Sequence, residues 1–262
     1  MELNKTYCMD NRVGMRMLPD NYIDLTITSP PYDDLRTYKG CEWNFDIFKE
    51  VADELYRITK DGGVIVWIVN DRTVNGSETG TSFRQALYFK EIGFNLHDTM
   101  IYAKNSVFAH DSRNRRYKQC FEYMFVLSKG KPKTYNEIKD KPNKSKGKIL
   151  KGGKGRDKNG NKREYKPRIA NEYQARFNIW TYVIGSSVAK EKIAFKHPAI
   201  FPEQLVQDHI ISWSNEGDLI LDCFAGSGTT RKMALKNNRN YIGFEISQEY
   251  VDIDNKRNEN IL

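Results

Sequence analysis

Ser29, Pro30, Pro31 and Tyr32 follow one another directly, setting two hydrogen-bond acceptors beside an aromatic ring on a stiff backbone. Each proline fixes its own φ and restricts the residue before it, so the Ser29 hydroxyl and the Pro30 carbonyl are held in a narrow geometry. Acceptors held this way suit the N–H groups of a planar amine, and Tyr32 offers a face for its ring. A second string, Asp222-Cys223-Phe224-Ala225-Gly226-Ser227-Gly228-Thr229-Thr230, reads as a turn that lets backbone approach a ligand. Gly226 and Gly228 supply the freedom, and a helix starting near Thr229 would turn free N–H groups toward the ligand. Without a second Gly-x-x-Gly element, the loop is compatible with cofactors other than a dinucleotide. Glu245, ending the next strand, is placed to accept both hydroxyls of a ribose.

Each string alone is common in turns; together they resemble the amino-group DNA methyltransferases, which modify N4 of cytosine or N6 of adenine. The resemblance covers most of the chain. Thr28 to Tyr32 is similar to the family's catalytic motif, Asp222 to Thr229 to its cofactor loop, and Lys196-His197-Pro198-Ala199-Ile200-Phe201-Pro202 to its extra cofactor segment. Catalytic motif first and cofactor loop last is the permuted order of the beta-type group. The resemblance implies S-adenosylmethionine as methyl donor, double-stranded DNA as partner, an everted base stacked on Tyr32, and a homodimer as one assembly. It further implies Asp10 at the adenine end of the donor, Phe224 beside its methionine part, and His197 with Pro198 near its carboxylate. Asp10 reads equally as a helix cap or surface acid, and His197 as a turn residue. In the family, serine first in the catalytic motif leans toward N4 of cytosine, with N6 of adenine the alternative. RNA or protein-amide methylation, or a nucleic-acid-binding module without catalysis, are the remaining readings.

Net charge is +8, and its distribution is uneven. Between Lys129 and Arg176 there are 17 Lys or Arg against 5 Asp or Glu; the rest of the chain holds 25 against 29. Such a block reads as a surface for polyphosphate whose binding weakens as salt rises. By resemblance, target recognition falls between Lys104 and Ala189. Within it Arg113, Arg115, Arg116, Lys144, Lys151, Arg156, Arg163 and Arg168 are candidates for contact with guanine or phosphate. Arg36 belongs to a Pro-Pro-Tyr-x-x-x-Arg-x-Tyr pattern, as phosphate contact, pocket wall or surface ion pair. Asp33 and Asp34 are no metal pair, because adjacent residues on an extended segment point apart. The four cysteines and four histidines show no ligand spacing, which argues against zinc. No apolar run reaches the ~18 residues of a membrane helix, so the expectation is a soluble, cytoplasmic chain with reduced thiols.

The elements that must carry these residues alternate between strands and helices. Ile23, Leu25 and Ile27 alternate with polar residues up to Ser29, which puts the catalytic string at a strand's carboxyl end. Phe45, Phe48, Val51, Leu55 and Ile58 mark a helix ending before Asp61-Gly62-Gly63, with a strand over 64–69. A helix over 82–92 turns Phe83 and Leu87 inward, followed by strands over 95–102 and 121–127. After the basic stretch, a helix runs through about 214 with Pro202 in its first turn and His209 as a structural residue beside Leu205 and Trp213. Strands over 218–222 and 240–245 and helices over 229–237 and 248–256 complete the chain. The expected fold is α/β: a Rossmann-like, doubly wound, mostly parallel methyltransferase sheet with permuted motif order and an inserted basic recognition segment. The boundaries expected are 1–128 for the catalytic half, 129–194 for the insertion and 195–262 for the cofactor half. Residues 141–168 hold too few large apolar side chains to build a core, and are expected to order on contact with a partner.

Overall fold

The computed structural model describes all residues except 33–42, 107–114, 158, 186–188, 190, 197–199, 260 and 262. The chain divides into two compact units, one formed by Met1–Asn136 with Asn178–Leu262 and the other by Glu137–Phe177.

The larger unit is built on an eight-stranded sheet. Its strands are β1 (Lys5–Cys8), β2 (Ile23–Thr28), β3 (Thr59–Val69), β4 (Asn95–Lys104), β5 (Phe121–Ser128), β6 (Ile179–Tyr182), β7 (Leu219–Asp222) and β8 (Asn240–Glu245). They lie in the order β1-β8-β7-β2-β3-β5-β4-β6. Every neighbouring pair is parallel except the two that involve β5, which runs against β3 and β4. The sheet is thus mostly parallel, and the reversed strand is the feature strand–helix alternation did not signal.

Helices α1 (Asn11–Arg16), α2 (Phe45–Ile58) and α3 (Thr81–Glu91) pack side by side over one face, α4 (Glu203–Trp213), α5 (Thr229–Lys236) and α6 (Gln248–Asn258) over the other. Burial on both faces explains the continuous apolar run Val64–Val69, all six residues of which are buried. Asn44 starts α2 by accepting the Asp46 and Ile47 amides at 3.0 and 2.9 Å. Phe48, Val51, Leu55 and Ile58 then line its buried side, as their spacing predicts.

Three expectations are corrected. The strand after α2 begins at once, at Thr59, and Asp61-Gly62-Gly63 lies inside it. Gly62, at φ +79°, lets β3 shift register between Ile23↔Thr59 and Leu25↔Val64. α3 turns Ser82, Gln85, Ala86 and Phe89 inward and leaves Phe83 and Leu87 exposed. The reason is polar: the Trp67 indole, buried on β3, needs an acceptor and donates to Gln85 Oε1 at 2.9 Å. Pro202 occupies the capping position of α4 just before its first turn. His209 is enclosed as expected, its ring 4.7 Å from that of Trp180.

The smaller unit consists of three short antiparallel ladders: Lys141–Pro142 with Tyr173–Gln174, Ile149–Leu150 with Arg168–Ile169, and Gly153–Arg156 with Lys162–Tyr165. Ala170 is its one buried residue among those described. Its side chains are held instead by surface pairs such as Arg176 with Asp140 and Lys141 over the Phe177 ring.

Candidate active site

β7 lies beside β2 and β8, with Thr26 paired to Leu221 and Asp222 to Gly243, while Cys8 of β1 pairs with Glu245. The carboxyl ends of these four parallel strands share one edge of the sheet, where open α/β sheets bind ligands. Ser29 and Phe224 emerge there, although they stand 195 positions apart in the chain. A single carboxylate joins the two segments. Asp222 accepts the Thr28 hydroxyl at 2.7 Å, the Thr230 hydroxyl at 2.6 Å and the Phe224 amide at 3.1 Å.

Asp222 is 1 % exposed, and burial pushes its pKa up to about 6 against the pull of its three donors. A carboxyl whose folded pKa is raised stabilises the fold below its unfolded value and loses that contribution as pH rises through the folded one. Between about pH 4 and pH 6 the folded chain should therefore lose on the order of 3 kcal/mol through this group. Asp222→Asn, which keeps the shape and removes the titration, is expected to flatten that limb. Urea unfolding of both proteins across pH 4 to 7 checks it, and parallel curves would exclude Asp222 as the source.

The loop after β7 is bound to β8. Ala225 N donates to Phe244 O at 2.9 Å, and Gly226 N to Glu245 Oε2 at 2.9 Å. The other oxygen of Glu245 accepts the Ser247 amide at 2.9 Å. Burial raises the Glu245 carboxyl above its ordinary range, while the amides of Ser247 and Gly226 pull the other way. Gly226 and Gly228 take φ of +53° and +77°, which favours glycine at both. At Gly228 a side chain would also run into the Asp254 carboxylate. Behind the loop, Arg257 Nη1 donates to Ser227 O at 2.6 Å and to Thr229 Oγ1 at 3.1 Å. Glu203 bridges Arg257 and the buried Lys232, so three charged side chains brace the start of α5. In front, Phe224 is half-buried against Trp43, ring centres 5.2 Å apart.

Asp10 caps α1, accepting the Arg12 amide at 2.8 Å, and its carboxylate also pairs with the Arg12 guanidinium. That guanidinium holds the Asp10 carboxyl below the ordinary range. His197, Pro198, Arg36 and Arg113 lie outside the described residues, as do Asp33 and Asp34. Arg115 is exposed, whereas Arg116 pairs with Glu78 at 2.6 Å and donates to Gly76 O. Lys144, Lys151, Arg156, Arg163 and Arg168 all stand exposed on the smaller unit.

Pro30 and Pro31 are buried; Ser29 and Tyr32 remain partly open. Ser29 Oγ donates to Tyr32 Oη at 3.0 Å, and Tyr32 Oη donates to Glu122 Oε2 at 2.8 Å. Lys104 Nζ sits 2.6 Å from the other Glu122 oxygen. Neither Glu122 nor Lys104 is visible as a site residue from sequence. Glu122 is the second residue of β5, and because β5 runs antiparallel its first residues reach the edge where its neighbours end, with Tyr102 paired to Glu122. No ligand-like group of His, Cys, Asp or Glu for a metal occurs among the described residues.

Residues 23–256 match the N6/N4 methyltransferase family, described as DNA methylase. The chain belongs to this family. It is 58% identical over 246 residues to the orphan methyltransferase M.BamHII of Bacillus amyloliquefaciens, spanning 93% of this chain and 91% of that protein. In fold it is similar to the cytosine-N4-specific PvuII DNA methyltransferase, at TM-score 0.74 and 20% identity over 98% of this chain and 88% of that one. The M1.HpyAVI–SAM complex is a second fold neighbour, at TM-score 0.65 and 23% identity, covering 97% and 98% of the two chains.

As an N6/N4 DNA methylase the chain is a DNA methyltransferase dependent on S-adenosylmethionine. Its residues fit that donor. Glu245 stands at the end of β8 with one amide on each oxygen, which leaves lone pairs on both for a diol. Two glycines open the adjoining turn, and an aromatic ring flanks it. Among the described residues no helix is long and apolar enough to cross a membrane.

Proposed function

We propose that this methyltransferase acts on the exocyclic amine of an everted base in double-stranded DNA, and that the base is cytosine, modified at N4. The observation that carries the reading is the Asp222 carboxylate, which ties Thr28, next to Ser29-Pro30-Pro31-Tyr32, to the glycine turn. Exocyclic amines are poor nucleophiles because their lone pair is delocalised into the ring. In this reading the Ser29 hydroxyl and the Pro30 carbonyl accept the two N–H bonds and favour a pyramidal nitrogen whose lone pair is free to attack. As the nitrogen–carbon bond forms, the methyl carbon's bond to sulfur breaks, a neutral thioether leaves, and the methylated nitrogen gives up one of its protons to water. Tyr32 stacks on the extruded ring and offsets part of the unpairing penalty.

Glu245 accepts the ribose hydroxyls of the donor, Phe224 lies along its methionine part, and the loop from Ala225 to Thr229 supplies backbone amides. Asp10, His197 and Pro198 complete the donor site, Asp10 acting through the end of α1 that it caps. Bound there, S-adenosylmethionine supplies a methyl group activated by a sulfonium. The exposed cations of the smaller unit, with Arg115, meet DNA phosphates, and a cytoplasmic setting accompanies that substrate.

Ser29 supports cytosine, being the residue type that leans toward N4 in this family. Mass spectrometry of nucleosides digested from duplex DNA after reaction with the purified chain tests the choice. N4-methylcytosine is the expected product. N6-methyladenine alone would overturn the base assignment and leave the amino-methylation itself standing.

A further inference from the structure

Ser29, Tyr32, Glu122 and Lys104 form a connected chain at the sheet edge, and its hydrogen bonds run in one direction. Lys104 has only protons to give, and it occupies Glu122 Oε1 at 2.6 Å. An ionised Glu122 has only lone pairs to offer, so the Tyr32 hydroxyl spends its single proton on Glu122 Oε2 at 2.8 Å. Tyr32 Oη is then an acceptor toward Ser29, whose own single proton goes to it at 3.0 Å. Ser29 Oγ is thereby left facing any further partner with lone pairs only.

We propose that Glu122 is a positioning residue for methyl transfer: through Tyr32 it commits the Ser29 proton and turns Ser29 Oγ into an obligate acceptor for the N–H of the target amine. The proposal rests on the reading of Ser29 and Tyr32 given above and deepens it. A serine hydroxyl otherwise rotates freely between donor and acceptor, and a donor toward the target nitrogen would occupy the lone pair that has to attack. Glu122 removes that choice without touching the base. The same chain fixes the Tyr32 ring by its hydroxyl, so the stacking face and the acceptor are set by one carboxylate. Lys104 in turn holds that carboxylate from the adjacent strand.

Single-turnover methyl transfer to duplex DNA with saturating donor tests this, using the full chain and the variants Glu122→Gln, Tyr32→Phe and both together. Glutamine keeps the size of Glu122 but brings its own N–H groups, which frees the direction of the chain. Phenylalanine keeps the stacking ring and deletes the hydroxyl. Each single variant is expected to transfer about tenfold more slowly, with DNA and donor dissociation constants within about twofold of the parent. The double variant should be no slower than the singles, since both cut one chain.

Thermal melting of each variant separates loss of fold from loss of rate. Unchanged transfer by Glu122→Gln would overturn the proposal, as would penalties that multiply in the double variant or that appear as weaker DNA binding. If the parent methylates a DNA amine while the variants match it, only the role of Glu122 falls. A parent that leaves every DNA amine unmodified would bring down the reading beneath it as well.

Discussion

Tyr32→Ala is expected to lower kcat about 100-fold or more while leaving the affinity for duplex DNA within a few-fold of the parent. Stacking of a base on an aromatic ring is worth about 1–3 kcal/mol by alanine substitution, and the everted base has to offset the lost pairing in the helix. The substitution also removes the hydroxyl between Ser29 and Glu122, a further ~1 kcal/mol on average for a hydrogen bond. Affinity of proteins for duplex, in contrast, arises chiefly from cations meeting phosphates, and the exposed cations proposed for that role on the smaller unit are untouched. Rapid-quench transfer of labelled methyl measures the first effect, and a salt titration of binding the second. The slope of log K against log salt should match the parent's. Full methylation by the alanine variant would remove Tyr32 from the mechanism.

Glu245→Ala should raise the dissociation constant of the methyl donor about 100-fold or more, since the two hydrogen bonds proposed from the ribose to this charged acceptor, at about 1.5–3 kcal/mol each, would be lost together. Part of the effect is indirect. The carboxylate also holds the Gly226 and Ser247 amides, so its removal loosens the turn that carries the backbone donors. Glu245→Gln separates the contributions, because the amide oxygen retains one acceptor of similar shape, and an intermediate loss is expected. Isothermal titration calorimetry with the donor reads both, and donor binding unchanged in the alanine variant would refute the ribose role.

Local structure was legible where a residue's surroundings lie close along the chain. β2 alternates polar and apolar residues until two prolines stop it, and that sets Ser29 at a carboxyl end whatever lies beside it. α2 declares its face through five apolar residues at helical steps, and the Gly226 and Gly228 turn shows itself through a backbone conformation that other residues avoid. The uneven charge likewise identifies a stretch too polar to build a core, and only Ala170 is buried there among the described residues.

Less was legible where partners are distant. α3 reads as amphipathic through Phe83 and Leu87, yet its buried side is chosen by Trp67 on another element, whose indole requires Gln85. β1 carries too little apolar pattern to announce itself, with Thr6 its one buried residue, and exists because β8 offers it a free edge. Asp222 reads as one more residue of the glycine loop, and only the pairing of β7 with β2 makes it the carboxylate that Thr28 and Thr230 share.

The amino-acid order by itself determined the chemistry available: a stiff acceptor and ring at one strand end, a glycine turn and carboxylate at others, and a basic stretch between. Tertiary structure alone decided the company those groups keep. Strand order and direction are set by packing between residues far apart in the chain, and a strand's direction leaves no mark in its composition. The reversal of β5 is the clearest case, for it brings Glu122 to Tyr32 across 90 residues of sequence.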